Sequence, residues 1–166
     1  MNGIPNESNV YQYVHDASFA DGFSSLTGYK NQSALEVYLA LIQKTPTWVN
    51  RLMSIRNNVV AKLGLKNLGH LADINPNKLS SDYKVGDRVG IFTLSVIEHN
   101  EVVFHDTDKH LKARISLFIE ANGNTAKVSL NTVVHVHNTL GKVYMFFVGP
   151  VHKIIVPSIL KQLPKI

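Results

Sequence analysis

Apolar residues recur at three- and four-residue steps from Asn138 to Leu163, at Leu140, Val143, Tyr144, Phe147, Val151, Ile154, Ile155, Ile159 and Leu163. That spacing predicts one long final helix. Met145, Phe146 and Val148 are apolar as well, so two faces of the helix are expected to be buried, with a sheet as the cover. Further back, Ala34 to Lys44 carries Leu35, Tyr38, Leu39 and Ile42 on one helical face, and Ser33 with Glu36 forms a capping box at its start. Pro46 opens a second helix striped by Trp48, Leu52, Ile55, Val59 and Leu63, with Arg51, Arg56, Asn57 and Lys62 outward and Gly64 as its stop.

The remaining pattern is that of strands. Tyr11, Tyr13 and His15 alternate with Gln12, Val14 and Asp16 and predict a first strand running towards Phe19, with Ala20 to Lys30 as a connection. Met1 to Asn9 reads as a loose terminus, and Lys66 to Lys84 as a long polar connection. Val89 to Glu98 and Val102 to Asp106 form a hairpin about His99-Asn100. Leu111 to Glu120 and Thr125 to His137 form another about Asn122-Gly123.

Centring the last turn on Asn122-Gly123 pairs Ile119 with Ala126, Leu117 with Val128, Ile115 with Leu130, Ala113 with Thr132 and Leu111 with Val134. One face of the hairpin is then almost wholly apolar, and a slip of one residue would lose it. Closing the preceding turn over Asp106 to Lys109 sets Phe104 against Leu111, Val102 against Ala113 and Arg114 against Glu101. The apolar face is expected against the final helix. Leu94, Val96, Val103, Phe118 and Val133 fall on the other face, which suits a homodimer contact.

Composition narrows the classes. The 166 residues include no cysteine, which excludes disulfides and thiolate chemistry. No positive charge precedes Lys30, so the charged start of a signal peptide is missing, and Asn2 breaks the N-myristoylation pattern. Val143 to Leu160 is interrupted by Gly149-Pro150, His152, Lys153 and Pro157, so a core helix rather than membrane insertion is expected. The chain is read as soluble and cytoplasmic. The net charge of +5 is scattered and does not alternate with aromatics as a nucleic-acid groove would.

A first strand, two helices, a run of antiparallel strands and a long last helix define an α+β chain. This order resembles the helix-grip fold of START-like and pollen-allergen-like domains, in which a curved antiparallel sheet wraps the C-terminal helix. A closer likeness lies in GDRVGIF (Gly86 to Phe92), DKHLKARISL (Asp108 to Leu117) and TVVHVHNTLGKVYMFFVGPVHKIIV (Thr132 to Val156). Asp108, Lys109, His110 and Leu111, then Asn138, Gly141, Tyr144, Pro150 and His152, resemble the pattern of the bacterial domain-of-unknown-function family 2867. The resemblance implies a single START-like (SRPBCC) domain over 1–166. It also implies a cavity for an apolar ligand between sheet and helix, and it implies no activity.

Candidate residues follow from that frame. Leu111, Ala113, Ile115, Leu130, Val134, Tyr144, Phe147 and Val151 are expected to line the ligand cavity. The alternative is a cyclase- or hydratase-type enzyme with His110, Tyr144 and His152 as acid–base groups converging in the cavity. A third reading uses the outer face, where the register sets His105 against His110 and His110 against His135, with His137 beside them. Such a cluster suits a metal, although a solvated or subunit-facing surface is the simpler account. Asn138 reads as the cap of the last helix, Gly141 as a point of close helix–sheet approach and Arg88 as an anion contact. No phosphate loop, nucleophile elbow or zinc-protease motif is present, and no cofactor is called for.

Overall fold

A computed structural model describes residues 3–62, 74–75 and 77–165, with the side chains of 59–62 set aside. The element order is a 3-10 turn (Tyr11–Tyr13), β1 (Phe19–Gly28), α1 (Ala34–Gln43), α2 (Thr47–Lys62), a second 3-10 turn (Ser80–Asp82), β2 (Arg88–Val89), β3 (Phe92–Ile97), β4 (Glu101–Thr107), β5 (Leu111–Asn122), β6 (Thr125–Val136) and α3 (Thr139–Leu160). The strands form one antiparallel sheet in the order β1-β6-β5-β4-β3-β2. The chain is thus α+β, with α1 and α3 on one face of the sheet.

The first strand lies later than the alternation of Tyr11, Tyr13 and His15 indicates. Residues 11–13 make a 3-10 turn, and the glycine- and serine-bearing stretch read as a connection is β1. Its sequence has little strand preference of its own. It is held by pairing along its whole length with β6, from Phe19↔Val134 to Gly28↔Thr125.

The last hairpin turns at Gly123-Asn124 rather than Asn122-Gly123. Gly123 takes φ +59°, as the first central residue of a two-residue turn requires. Every β5–β6 pair is therefore displaced by two residues from the expected one: Ile119 meets Val128, Leu117 meets Leu130 and Leu111 meets Val136. A two-residue shift keeps side-chain parity, so the same face stays apolar. The β4–β5 turn also falls later, because the Asp108 carboxylate accepts the His110 and Leu111 amides at 2.6 and 2.9 Å. Phe104 then pairs with Ile115 rather than Leu111, and Glu101 with Phe118 rather than Arg114.

The main core lies between α1, the C-terminal half of α3 and the inner sheet face, with Leu94, Val102, Phe104, Leu117 and Val128 buried there. Ser33 caps α1 as expected; its hydroxyl accepts from the Glu36 amide, and the Glu36 carboxylate accepts from the Ser33 amide at 2.7 Å. On α2 the buried face is turned from the expected one. Val49 and Asn57 are buried while Trp48 and Ile55 are exposed. The Val59 and Leu63 side chains, the Gly64 stop and most of the connection from Lys66 lie outside the described residues.

The outer sheet face carries a second core. Ile4 and Val10 pack on Val103 and Val133, with Tyr13, Val14, Ala17 and Val96 at the margin. The expected loose terminus is thus a built cover over the sheet, and it occupies the face assigned to a homodimer contact. Leu94 is not on this face. A bulge between Leu94 and Val96 turns Leu94 to the inner core while Val96 faces outward. Polar groups pin the cover: Glu101, 1% exposed, accepts from Ser8 Oγ and Ser116 Oγ at 2.5 Å each, and from the Asn9 amide and Asn9 Nδ2 at 2.8 Å each.

The long helix is capped where expected, the Asn138 side chain accepting from the Gly141 amide at 3.1 Å. The sheet covers one side of it. Its buried residues are Gly141, Gly149, Val156, Ile159 and Leu160, while Phe146 and Phe147 are 75% and 67% exposed. Packing therefore uses the face with two glycines, not the Val143–Phe147–Val151–Ile154 stripe. At Gly141 a β-carbon would lie 2.5 Å from the His110 carbonyl oxygen, so only glycine permits the approach.

Candidate functional site

The registry of β1 on β6 sets Asp21 opposite Thr132, both side chains on the inner face. α3 crosses above them and lowers His152 between the two. His152 Nε2 lies 3.2 Å from Thr132 Oγ1, and Nδ1 lies 3.1 Å from Asp21 Oδ2. The imidazole and the Phe19 ring stand edge to face with centroids 5.8 Å apart. Hydroxyl, imidazole and carboxylate stand in line, each on a different element.

Asp21 is 8% exposed, and its second oxygen, Oδ1, is buried without a hydrogen-bond partner. An orphaned carboxylate oxygen in a buried position costs free energy unless a donor arrives. Asp21 also lines an open groove of about 500 Å³ between α3 and the free edge of β1, bounded by Phe19, Gly22, Phe23 and Lys153. A second hollow, about 120 Å³, lies between α1, the end of β1 and the chain after α3, at Thr27, Val37 and Leu163.

The expected ligand-lining residues separate into three groups. Leu111, Leu130 and Val134 are buried, Ala113, Ile115 and Tyr144 are half-buried, and Phe147 and Val151 are exposed on the far side of α3. None of the eight lines either hollow. Sequence reasoning passed over Asp21, placed in a connection, and Thr132, assigned as the partner of Ala113. With β1 read correctly, the Asp21↔Thr132 pairing opposite His152 was the signal available.

The three acid–base candidates do not converge. His110 is buried, its Nδ1 against the Asn138 amide group at 2.9–3.1 Å, and its Nε2 has no partner. The Tyr144 hydroxyl accepts from Arg56 Nε at 3.1 Å, with the guanidinium 5.4 Å from its ring. His152 alone joins the carboxylate and hydroxyl described above.

The outer-face histidines are likewise apart. His105 pairs with Arg114, not His110, and its Nδ1 meets Ser95 Oγ at 2.8 Å. His135 Nδ1 faces Arg114 Nη1 at 3.3 Å and its Nε2 faces Asp16 at 3.0 Å. His137 enters through its backbone amide, which donates to the His110 carbonyl. Among the described residues no three His, Asp or Glu side chains are grouped to hold a metal. Arg114, stacked 3.8 Å from the Tyr13 ring, puts a fixed positive charge where a cation would have to sit. The hydrogen bond from His135 holds the exposed Asp16 carboxyl below its ordinary range. Arg88 donates to the Ile91 carbonyl at 3.2 Å.

These features define an α+β protein whose final helix rests on a six-stranded antiparallel sheet, with a carboxylate–imidazole–hydroxyl line between them. The chain belongs to the family described as proteins of unknown function (DUF2867), whose profile matches residues 13–159. No curated protein matches it. Among solved structures, the Mll3558 protein from Rhizobium loti is similar, with 13% identity and a TM-score of 0.41 over 87% of this chain and 98% of that one.

Proposed function

We propose that this protein is a START-like (SRPBCC, helix-grip) domain of the cytoplasm that holds a small, largely apolar molecule between the sheet and α3. One observation carries the reading: Asp21 lines the groove, and its Oδ1 is buried beside it without a hydrogen-bond partner, so the carboxylate can take one more donor. Phe19 and Phe23 supply apolar wall beside it, and Ala113 and Ile115 leave the inner sheet face incompletely covered. A ligand with an apolar body and one hydroxyl or amine fits both features.

Native mass spectrometry of untagged protein from its own host, compared with the denatured sample, tests this. A released organic molecule, lost from the Asp21→Ala variant, supports the reading. A clean apo mass from native protein overturns it.

A second reading has one observation in its favour. His152, oriented by Asp21 through Nδ1, holds its Nε2 against the Thr132 hydroxyl, the arrangement by which an imidazole acts as a general acid–base group in a cyclase or hydratase. In that case incubation converts the recovered molecule to a second species, and His152→Ala still binds but no longer converts it. Unchanged ligand with native protein excludes the enzyme and leaves the binding domain.

A further inference from the structure

We infer that the outward face of α3 is a docking surface for an anionic lipid membrane, on which the helix lies flat. This inference does not rest on the ligand site, although Lys153 also borders that groove. Val143, Phe146, Phe147, Pro150, Val151 and Ile154 form an unbroken apolar stripe on the side of α3 opposite its packed face. At 1.5 Å per residue it runs about 16 Å, three turns of helix. The Phe146 and Phe147 rings stand edge to face, 5.3 Å apart, with both largely in solvent. A contiguous apolar stripe of this kind marks a surface with a partner.

Charge selects the partner. From Ala121 to Ile166 the chain has no Asp or Glu, and α2, joined to α3 through Arg56 and Tyr144, has none either. Lys142 and Lys153 flank the stripe, are exposed, and are in no ion pair among the described residues. A second copy is a poor cover, because packing the stripes antiparallel about a two-fold would bring Lys142 of one copy towards Lys153 of the other, like charge on like. An anionic bilayer offers negative headgroups to the lysines and acyl chains to the phenylalanines. Helices with aromatic apolar faces and basic flanks settle in that way at the membrane interface. α3 is also long and apolar enough to cross a bilayer by length and composition, but its glycine face is occupied by the sheet, so the folded protein lies on the surface instead.

The test is co-sedimentation with vesicles of phosphatidylcholine alone and of phosphatidylcholine with phosphatidylglycerol, at low and high salt. The expected result is binding to the anionic vesicles that weakens with salt. Phe146→Asp with Phe147→Asp should reduce it at least tenfold. Lys142→Gln and Lys153→Gln should each cost about fivefold. All four side chains are exposed, and matching thermal melts confirm that the variants fold. Binding unchanged in the double phenylalanine variant overturns the proposal, as does no binding to either vesicle. A dimer that the phenylalanine variant abolishes, without vesicle binding, overturns it in favour of a second copy.

Discussion

Replacing Glu101 with alanine should release the N-terminal cover from the sheet. The carboxyl group accepts four hydrogen bonds, two from hydroxyls at 2.5 Å and two from Asn9 at 2.8 Å. Without it, the Ser8 and Ser116 hydroxyls, already 3.3 Å apart, can pair with each other, leaving one buried hydroxyl function unmet. The Asn9 groups are only partly buried and can turn to water. One orphaned polar group at about 1–3 kcal/mol, plus the net loss of the remaining bonds at about 1 kcal/mol each, offset by relief of burying a carboxyl, gives about 3 kcal/mol. For a chain of this length that lowers Tm by about 6–12 °C. Glu101→Gln keeps one acceptor and its volume, and the hydroxyls can accept from the new amide, so it should cost about 1 kcal/mol. Urea unfolding monitored by circular dichroism measures both, and limited proteolysis should show new cleavage before Phe19 in Glu101→Ala. A loss below about 0.5 kcal/mol in Glu101→Ala, or one no larger than that of Glu101→Gln, would refute the claim that this carboxyl pins the cover.

Gly141→Ala should destabilise by about 1–3 kcal/mol, since the new methyl would press on the His110 backbone 2.5 Å away; chemical denaturation reads this directly, and a neutral result would mean that α3 can lift without penalty. Stability should fall in acid partly through Glu36, whose carboxyl is held below its ordinary value by the Ser33 amide and then by the Ser33 hydroxyl. The folded state binds fewer protons than the unfolded chain there. Its contribution is therefore complete above the ordinary glutamate range and is lost as pH falls through the depressed value. Glu36→Gln should be about 0.5 kcal/mol less stable at neutral pH, with the gap closing in acid; a gap independent of pH would contradict the assignment.

The sequence by itself determined whatever depends on near neighbours. The Ser33–Glu36 box starts α1, Asn138 caps α3, and a glycine marks the last turn, because each of these bonds closes within three or four residues. Strand parity was equally legible, since alternation sorts Leu117, Ile119, Val128 and Leu130 to one face whatever the turn does. Absolute register was not, because shifts of two or four residues preserve that alternation; Gly123 and the Asp108 side chain chose among them. Only the tertiary structure made FADGFSSLTG a strand, by pairing it with β6, and only then did Asp21 come opposite Thr132. The histidine cluster dissolved for the same reason: it rested on cross-strand neighbours that the true register moves apart. Two long-range choices lay beyond any local pattern. The N-terminal segment covers the outer face because Ser8 and Asn9 meet a glutamate over ninety residues away. α3 turns its glycine face inward, where Gly141 comes close to the His110 backbone, and its phenylalanines face outward.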